Sequence, residues 1–141
     1  MADGIKIEIV SPEYLVLSEQ ASAVSVPGQE GYFTVMGDHA PLMTTLKPGF
    51  VTVTVAGGSA QTYYVRGGFA DVSPEGLTIL AEEAKTGADF DESEIDAAII
   101  VTQEQLANAE SAEAKSMAQM TLDGWKNLLL EAAVSHVGNT H

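Results

Sequence analysis

The sequence FVTVTVAGGSAQTYYVRGGFADV, residues 50–72, indicates a β-rich fold more clearly than any other segment. Its opening, FVTVTV, alternates valine with threonine, which is the period-two pattern of a half-buried β-strand. A second β-rich run at 62–66 follows Gly57-Gly58, and a Gly-Gly pair between two such runs predicts a β-hairpin. The next pair, in RGGF at 66–69, predicts a bulge or tight bend between strands.

The same alternation extends outward to the start of the chain. IKIEIV places three isoleucines on one face of a strand and Lys6 and Glu8 on the other. Further short apolar runs with strand character lie at 14–17, 22–26, 32–36, 68–72 and 77–81. Pro and Gly turn signals separate them at intervals of about 8–12 residues, which is typical of a β-sandwich or a β-barrel.

The composition changes at AKTGADF, residues 84–90. All five prolines lie at or before Pro74, and the chain beyond the change is rich in Ala, Glu and Gln. Such a shift indicates a domain boundary. We therefore predict a β domain over residues 1–86 and a helical domain over 87–141.

Two amphipathic helices are predicted in the second domain. Asp91 followed by Glu94 resembles an N-cap with its capping-box partner. NAESAE at 108–113 offers a bend, and Gly138 a C-terminal stop. The predicted apolar faces are Ile95, Ala98, Ile99, Thr102 and Leu106 in the first helix, and Ala114, Met117, Ala118, Thr121, Trp125, Leu128, Leu129 and Ala132 in the second. Together they predict an antiparallel hairpin.

Composition excludes several classes of protein. The chain has 141 residues, no cysteine and a net charge of −14. Disulfides and thiolate metal sites are therefore excluded, and phosphate backbones and anionic lipids repel so acidic a chain. No apolar run is long enough to span a bilayer, and the N-terminus does not resemble a signal peptide. We expect a protein that is cytosolic, or peripheral to a membrane through a partner, and that binds no nucleic acid.

The sequence offers little for catalysis. His39 beside Asp38 could form a base and its orienting group, but neighbours on an extended strand point to opposite faces. His136 and His141 lie in the tail, and three histidines without ligand spacing predict no metal site. We predict no catalytic residue and no cofactor.

One long stretch carries a family resemblance. VPGQEGYFTVMGDHAPLMTTLKPG, residues 26–49, holds Gly-x-x-Gly, a short strand, His-Ala-Pro, an apolar pair and Lys-Pro-Gly. It resembles the signature stretch of the epsilon subunits of F-type ATP synthases. The likeness continues through YYVRGGFADV and LTILAEEA and covers residues 5–90. One departure is Asp38, which stands where the family commonly has Gly or Pro-Gly and leaves the partner of His39 open.

The resemblance implies a β-sandwich N-terminal domain followed by an antiparallel two-helix hairpin. It also implies a non-catalytic rotor subunit of the central stalk, which couples c-ring rotation through the gamma subunit to ATP synthesis. The implied partners are gamma, the c ring and, through the hairpin, the catalytic alpha and beta subunits. The implied location is peripheral, on the cytoplasmic side of the bacterial inner membrane.

Two interfaces follow from the same resemblance. The segment similar to the c-ring-facing loop of the family contains Gln29, Glu30, Gly31 and Tyr32, and the segment similar to its gamma contact contains His39, Ala40, Pro41 and Leu42. Pro41 fixes its own φ and restrains Ala40, so the second segment is preorganised and loses little entropy on docking.

Two other interpretations compete with a rotor subunit. One is a free-standing β-sandwich binding or regulatory domain with a helical tail, and the other, ranked last, is an enzyme.

The charge of the hairpin sequence predicts how the hairpin interacts with ATP and with the catalytic subunits. Glu94 stands where ATP-binding epsilon subunits have Arg, and residues 88–110 contain seven acidic residues and no Lys or Arg. We expect no ATP binding and only a weak restraint on ATP hydrolysis.

Overall fold

Ten β-strands form among residues 4–87. In a computed structural model, which describes residues 4–135, the chain divides into two compact units, Met1–Gly87 and Ala88–His141. The strands are Ile5–Val10 (β1), Leu15–Ala21 (β2), Ala23–Gly28 (β3), Gly31–Val35 (β4), Leu42–Thr45 (β5), Gly49–Thr54 (β6), Ala60–Arg66 (β7), Phe69–Ser73 (β8), Gly76–Leu80 (β9) and Glu83–Thr86 (β10).

The strands make two five-stranded sheets. The first sheet has the order β2-β1-β9-β8-β5 and the second the order β10-β7-β6-β3-β4. Strands β1 and β9 pair in parallel, and every other described pair is antiparallel. Ile7 and Ile9 of the first sheet and Val51 and Val53 of the second share one fully buried core. The predicted β-sandwich is confirmed, because the two sheets pack face to face and do not close into a β-barrel.

The predicted strands all form, but two strands were missed. β5 follows Pro41 and reads LMTT, and β10 reads EAKT. Both are four-residue edge strands. In β5 two apolar residues are followed by two threonines, and in β10 the only apolar residue is one Ala, so neither shows the apolar alternation that identifies a strand in a sequence. Leu42, assigned by resemblance to a docking loop, is therefore the first residue of a strand.

Both predicted glycine turns form. Gly57 and Gly58 have φ of 97° and 94° in the hairpin between β6 and β7, a region that other residues rarely adopt. Gly68, with φ of 88°, makes the bend between β7 and β8. A Cβ added to Gly68 would overlap the carbonyl oxygen of Leu80, so this bend brings two backbones into direct contact.

The second unit contains helices α1 (Glu92–Asn108) and α2 (Ala112–Ser135), which contact each other. The predicted N-cap is confirmed because the Asp91 carboxylate accepts a bond of 2.9 Å from the N–H of Ser93. The predicted bend is also confirmed. The Ser111 hydroxyl there accepts a bond of 3.0 Å from the N–H of Ala114 and so caps α2.

The two predicted helix faces differ in accuracy. In α1, Ile95 and Thr102 are buried and the other predicted members are half-buried, as expected. In α2 the prediction was partly wrong, since Leu122 is buried whereas Ala114, Thr121 and Met117 are exposed, Met117 by 64%. Small Ala and Thr side chains fit either of two adjacent helix rows, so spacing alone could not choose between them. The predicted stop at Gly138, His136 and His141 lie outside the described residues.

Candidate functional site

The His39 imidazole is bonded to the backbone of its own turn. His39 Nδ1 lies 2.8 Å from the Ala40 carbonyl oxygen, which can only accept, so Nδ1 carries the proton. The Phe33 ring packs against the imidazole with centroids 6.3 Å apart. Within residues 4–135, no cluster of three or more His, Asp or Glu has the proximity that a metal ion requires. The local arrangement is that of a hydrogen-bonded turn, with the His39 N–H donating to Met36 at 3.0 Å.

The predicted c-ring segment forms the end of a hairpin. Gly28 of β3 pairs with Gly31 of β4, which leaves Gln29 and Glu30 as a two-residue turn that we call the tip. Both side chains of the tip are exposed. The sequence therefore places a carboxylate at the end of one hairpin, where a partner can reach it.

Several hydrogen bonds fix the tip to the crossover from β5 to β6. The Gln29 N–H donates to the Thr45 carbonyl at 2.9 Å, and the Thr45 hydroxyl donates to Gln29 Oε1 at 3.1 Å. The Lys47 N–H donates to the Pro27 carbonyl at 3.0 Å. A turn held from outside its own hairpin is preorganised, so it loses little entropy when a partner binds.

Tyr32 has a structural role that the sequence did not reveal. It is the second residue of β4 and lies on the outer face of the second sheet, because its neighbour Phe33 packs against the core. Its hydroxyl accepts the Phe50 N–H at 2.9 Å, beyond the last paired residues of β3 and β6. A Cβ on Gly49 would lie 2.6 Å from this hydroxyl. Tyr32 is 42% exposed, so it contributes a ring surface while its polar end is engaged inside the sheet.

The predicted gamma segment lies away from the tip, at the other end of β4. His39 is half-buried, while Ala40, Pro41 and Leu42 are exposed. Leu42 opens β5 at the edge of the first sheet, three residues before Thr45. About 10 Å of strand separates those two residues. The structure therefore keeps the two predicted segments apart on one domain.

A third surface was missed by sequence reasoning. On the outer face of the first sheet, Leu15 pairs with Val10, Val10 with Leu80, and Leu80 with Phe69. We call these four residues the apolar row. Leu15, Leu80 and Phe69 are 55%, 40% and 39% exposed, which marks an apolar patch that a partner could cover.

Carboxylates lie beside the apolar row. Glu8 and Asp71 occupy the next outward positions of β1 and β8, and both pair with Thr78 of β9. Lys6 is 3.6 Å from Glu8 and offsets part of this charge. A surface with an apolar centre and an acidic rim favours a partner with apolar and basic side chains.

Comparison with known proteins follows the same division of the chain. The family model for the ATP synthase delta/epsilon chain β-sandwich domain matches residues 4–87. The ATP synthase epsilon chain of Mesorhizobium japonicum is 48% identical over 122 residues, which cover 86% of this chain and 90% of the relative. The epsilon chain of Brucella anthropi is 44% identical over the same shares. The chain belongs to the ATP synthase epsilon family.

Solved structures agree with this fold. A chain in the cryo-EM structure of Euglena gracilis mitochondrial ATP synthase, containing OSCP, F1 and the c ring, has a TM-score of 0.72 and 23% identity over 93% of this chain and 81% of that chain. A chain of the Tetrahymena thermophila mitochondrial central stalk and c ring has a TM-score of 0.58 and 16% identity over 86% and 93%. The predicted epsilon family is confirmed, and the free-standing binding domain is set aside.

The hairpin of this epsilon-family chain is acidic where it is described. α1 contains Glu92, Glu94, Asp96 and Glu104 and no basic residue, while α2 contains Lys115 and Lys126. Neither helix is long and apolar enough to cross a bilayer, and this holds for every helix among residues 4–135.

Proposed function

We propose that this chain is the epsilon subunit of a proton-translocating F-type ATP synthase, and that it transmits c-ring rotation through gamma without chemistry of its own. The observation that carries the proposal is a fixed tip on the same rigid sandwich as an exposed apolar row. A part that transmits torque needs two docking surfaces whose relative position does not change. The described side chains offer two such surfaces, the tip and the apolar row.

The tip is proposed to dock on the polar loops of the c ring. Gln29, Glu30 and Gly31 supply an exposed, preorganised turn, and Tyr32 supplies the exposed edge of its ring. Support comes from family membership and from fold neighbours that belong to complexes containing a c ring. The subunit would then be peripheral, on the cytoplasmic side of the bacterial inner membrane.

Gamma is proposed to cover His39–Leu42 together with the first sheet's outer face. Leu42 lies at the edge of that sheet, and Phe69 and Leu80 continue the exposed apolar surface across it. Aromatic and leucine side chains at the centre of an interface give the largest losses on truncation. The acidic rim at Glu8 and Asp71 would meet basic side chains of gamma.

The hairpin is proposed to regulate ATP hydrolysis weakly, through contacts with the catalytic alpha and beta subunits. The family interaction joins basic hairpin residues to an acidic segment of beta, and the described helices offer only Lys115 and Lys126 for it. Like charge across such a contact costs several kcal/mol, which weakens the restraint.

Cysteine crosslinking tests both docking surfaces in this cysteine-free chain. Glu30→Cys should crosslink to a cysteine placed in a c-subunit loop, and Phe69→Cys should crosslink to gamma. Ser59→Cys is the matched control for the c ring, because Ser59 is exposed in the β6–β7 turn. Crosslinks of Glu30→Cys only within the catalytic head, or equal crosslinking of Ser59→Cys to the c ring, would overturn the proposed orientation.

A further inference from the structure

The two proposed docking surfaces meet at one residue pair. Thr45 ends β5, and its Cα partner across the ladder is Phe69, the end of the apolar row. The opposite side of Thr45 bonds to Gln29 of the tip through both its carbonyl and its hydroxyl. Gln29 belongs to the second sheet's β3–β4 hairpin, whereas Thr45 and Phe69 belong to the first sheet. Gln29 and Thr45 thus bridge two sheet edges.

We infer that Gln29 and Thr45 are positioning residues, which together we call the latch, and that they transmit load from the tip to the first sheet. This inference rests on the proposed function, since the tip must carry a load for the latch to matter. From Thr45 the load passes through the β5–β8 ladder to Phe69, and from Phe69 to Leu80.

The surroundings of the latch make it stiff. The Leu46 N–H donates to the Gly68 carbonyl at 2.9 Å, and Lys47 binds the Pro27 carbonyl. Residues 45–47 are therefore bonded in succession to the tip, to the β7–β8 bend and back to β3. Without the latch, the hairpin would still be held by the β3–β6 ladder and the Lys47–Pro27 bond, but Gln29 of the tip would lose its two bonds to Thr45 of the first sheet.

Because the latch is exposed, its effect on coupling can be distinguished from an effect on folding stability. Gln29 and Thr45 are both exposed, so the bond between their side chains competes with water and adds little to folding stability. Its remaining effect is on orientation, because it fixes the Gln29 side chain and with it the direction of the tip. If the bond only stabilised the fold, its loss would lower both the melting temperature and the coupling of ATP hydrolysis to proton pumping.

The test uses reconstituted ATP synthase carrying the full chain, with proton pumping measured per ATP hydrolysed. Thr45→Val removes the hydroxyl but keeps the shape, and Gln29→Leu removes its acceptor. Each should lower the pumping ratio, whereas Thr45→Ser, which keeps the hydroxyl, should retain it. Gln29 also belongs to the proposed c-ring contact, whereas Thr45→Val acts only through the bond that Gln29→Leu already removes. The double variant Thr45→Val/Gln29→Leu should therefore be no worse than Gln29→Leu alone.

Hydrogen exchange supplies a direct readout in the isolated protein. Loss of one hydrogen bond should increase opening at the Gln29 N–H about fivefold in Thr45→Val, with the melting temperature shifted by less than about 4 °C. A loss of coupling accompanied by a large fall in melting temperature in both single variants would identify a structural role and overturn the inference.

Crosslinking separates failure of the latch from failure of the proposed function. Glu30→Cys that crosslinks to the c ring, combined with unchanged pumping in Thr45→Val, would overturn the latch alone. Glu30→Cys that never crosslinks to the c ring would overturn the tip's docking and the latch with it.

Discussion

The sandwich and the hairpin hold their shapes by different means. The sandwich core consists of large β-branched side chains such as Ile7, Val51 and Val53, all at 0% exposure, and ladders join every strand. The hairpin buries fewer side chains, among them Ile95, Leu122 and Leu128. It also buries Thr102, whose hydroxyl donates to the Ala98 carbonyl in its own helix. Rigid geometry is therefore concentrated in the sandwich, which is where docking surfaces that carry load are proposed.

Charge sharpens the contrast. Residues 1–87 carry ten acidic and four basic side chains, and residues 88–141 carry ten acidic and two basic in a shorter segment. In the sandwich, the Glu83 carboxylate forms ion pairs with Arg66 at 2.9 Å and with Lys85 at 3.2 Å. Excess charge of one sign opposes compact structure, so the hairpin has less to gain from folding against itself.

Separating the two units should have the largest effect. A fragment of residues 1–86 should be soluble, should melt cooperatively and should bind gamma, because it contains the whole sandwich core. A fragment of residues 88–141 should show only partial helicity, since its seam buries little apolar surface. Circular dichroism and gamma pull-down measure both outcomes. A 1–86 fragment without a cooperative transition would sink the assignment of stability to the sandwich.

A Gly→Ala substitution should lower the folding stability in the sandwich and raise it in the hairpin. Gly68→Ala should destabilise the sandwich by about 3 kcal/mol or more, because φ is positive and the added methyl meets the Leu80 backbone. Gly124→Ala should stabilise α2 by about 0.5–1 kcal/mol, because nothing lies within 4 Å of its added methyl.

Urea unfolding measures this pair of variants. The protein's single tryptophan, Trp125, lies in α2, so its fluorescence reports the hairpin while far-ultraviolet dichroism also reports the sheets. Equal shifts of both transitions by Gly124→Ala would mean that the two units unfold as one.

Removing the hairpin from the assembled enzyme should have a small effect. Deletion of residues 88–141 should raise ATP hydrolysis by less than about twofold, since like charge weakens contact with the catalytic head. Calorimetry of the isolated full chain should detect no ATP binding in the low-millimolar range, because a carboxylate at Glu94 repels phosphate. Strong activation on deletion would instead show that the hairpin restrains rotation through contacts of another kind.

The smallest expected effect is a pH dependence inside the sandwich. Burial, and then the nearby Glu19 carboxylate, raise the pKa of Tyr63, whose hydroxyl donates to Gln61 at 2.7 Å. The unfolded chain therefore loses this proton first as pH rises. The stability contribution is complete below the unfolded pKa of about 10 and declines as pH rises through the folded value.

Alkaline urea titrations of matched tyrosine variants test this dependence. Tyr63→Phe should flatten the decline in the unfolding midpoint above about pH 10. Tyr14→Phe, at an exposed position, is the control and should leave the decline unchanged. A decline of the same slope in Tyr63→Phe would assign it to other groups.

Sequence patterns predicted the features that depend on residues close together in the chain. The alternation in β1 and β6, the glycine turns and the Asp91 cap each follow from neighbouring residues, and each was confirmed. The strands that were missed lack local apolar alternation.

Features that depend on register could not be read from the sequence. The apolar row joins residues from four strands, and only the pairing of those strands shows that Leu15, Phe69 and Leu80 lie side by side. The bond from Phe50 to Tyr32 has the same origin, because it requires the β3–β6 ladder to end before it. The interface roles of the tip and of His39–Leu42 stay predictions.

The parallel pairing of β1 with β9 sets the order of events during synthesis. β1 lies inside the first sheet, between β2 and β9. β2 follows β1 directly in the sequence, whereas most of the sandwich sequence separates β1 from β9. A nascent chain therefore emerges with β1 paired on one edge only, and the first sheet closes after Leu80 has left the ribosome. Such distant pairing slows folding and leaves an open strand edge in the meantime. The helical residues follow the sandwich in the sequence, so the ribosome translates them while the first sheet closes.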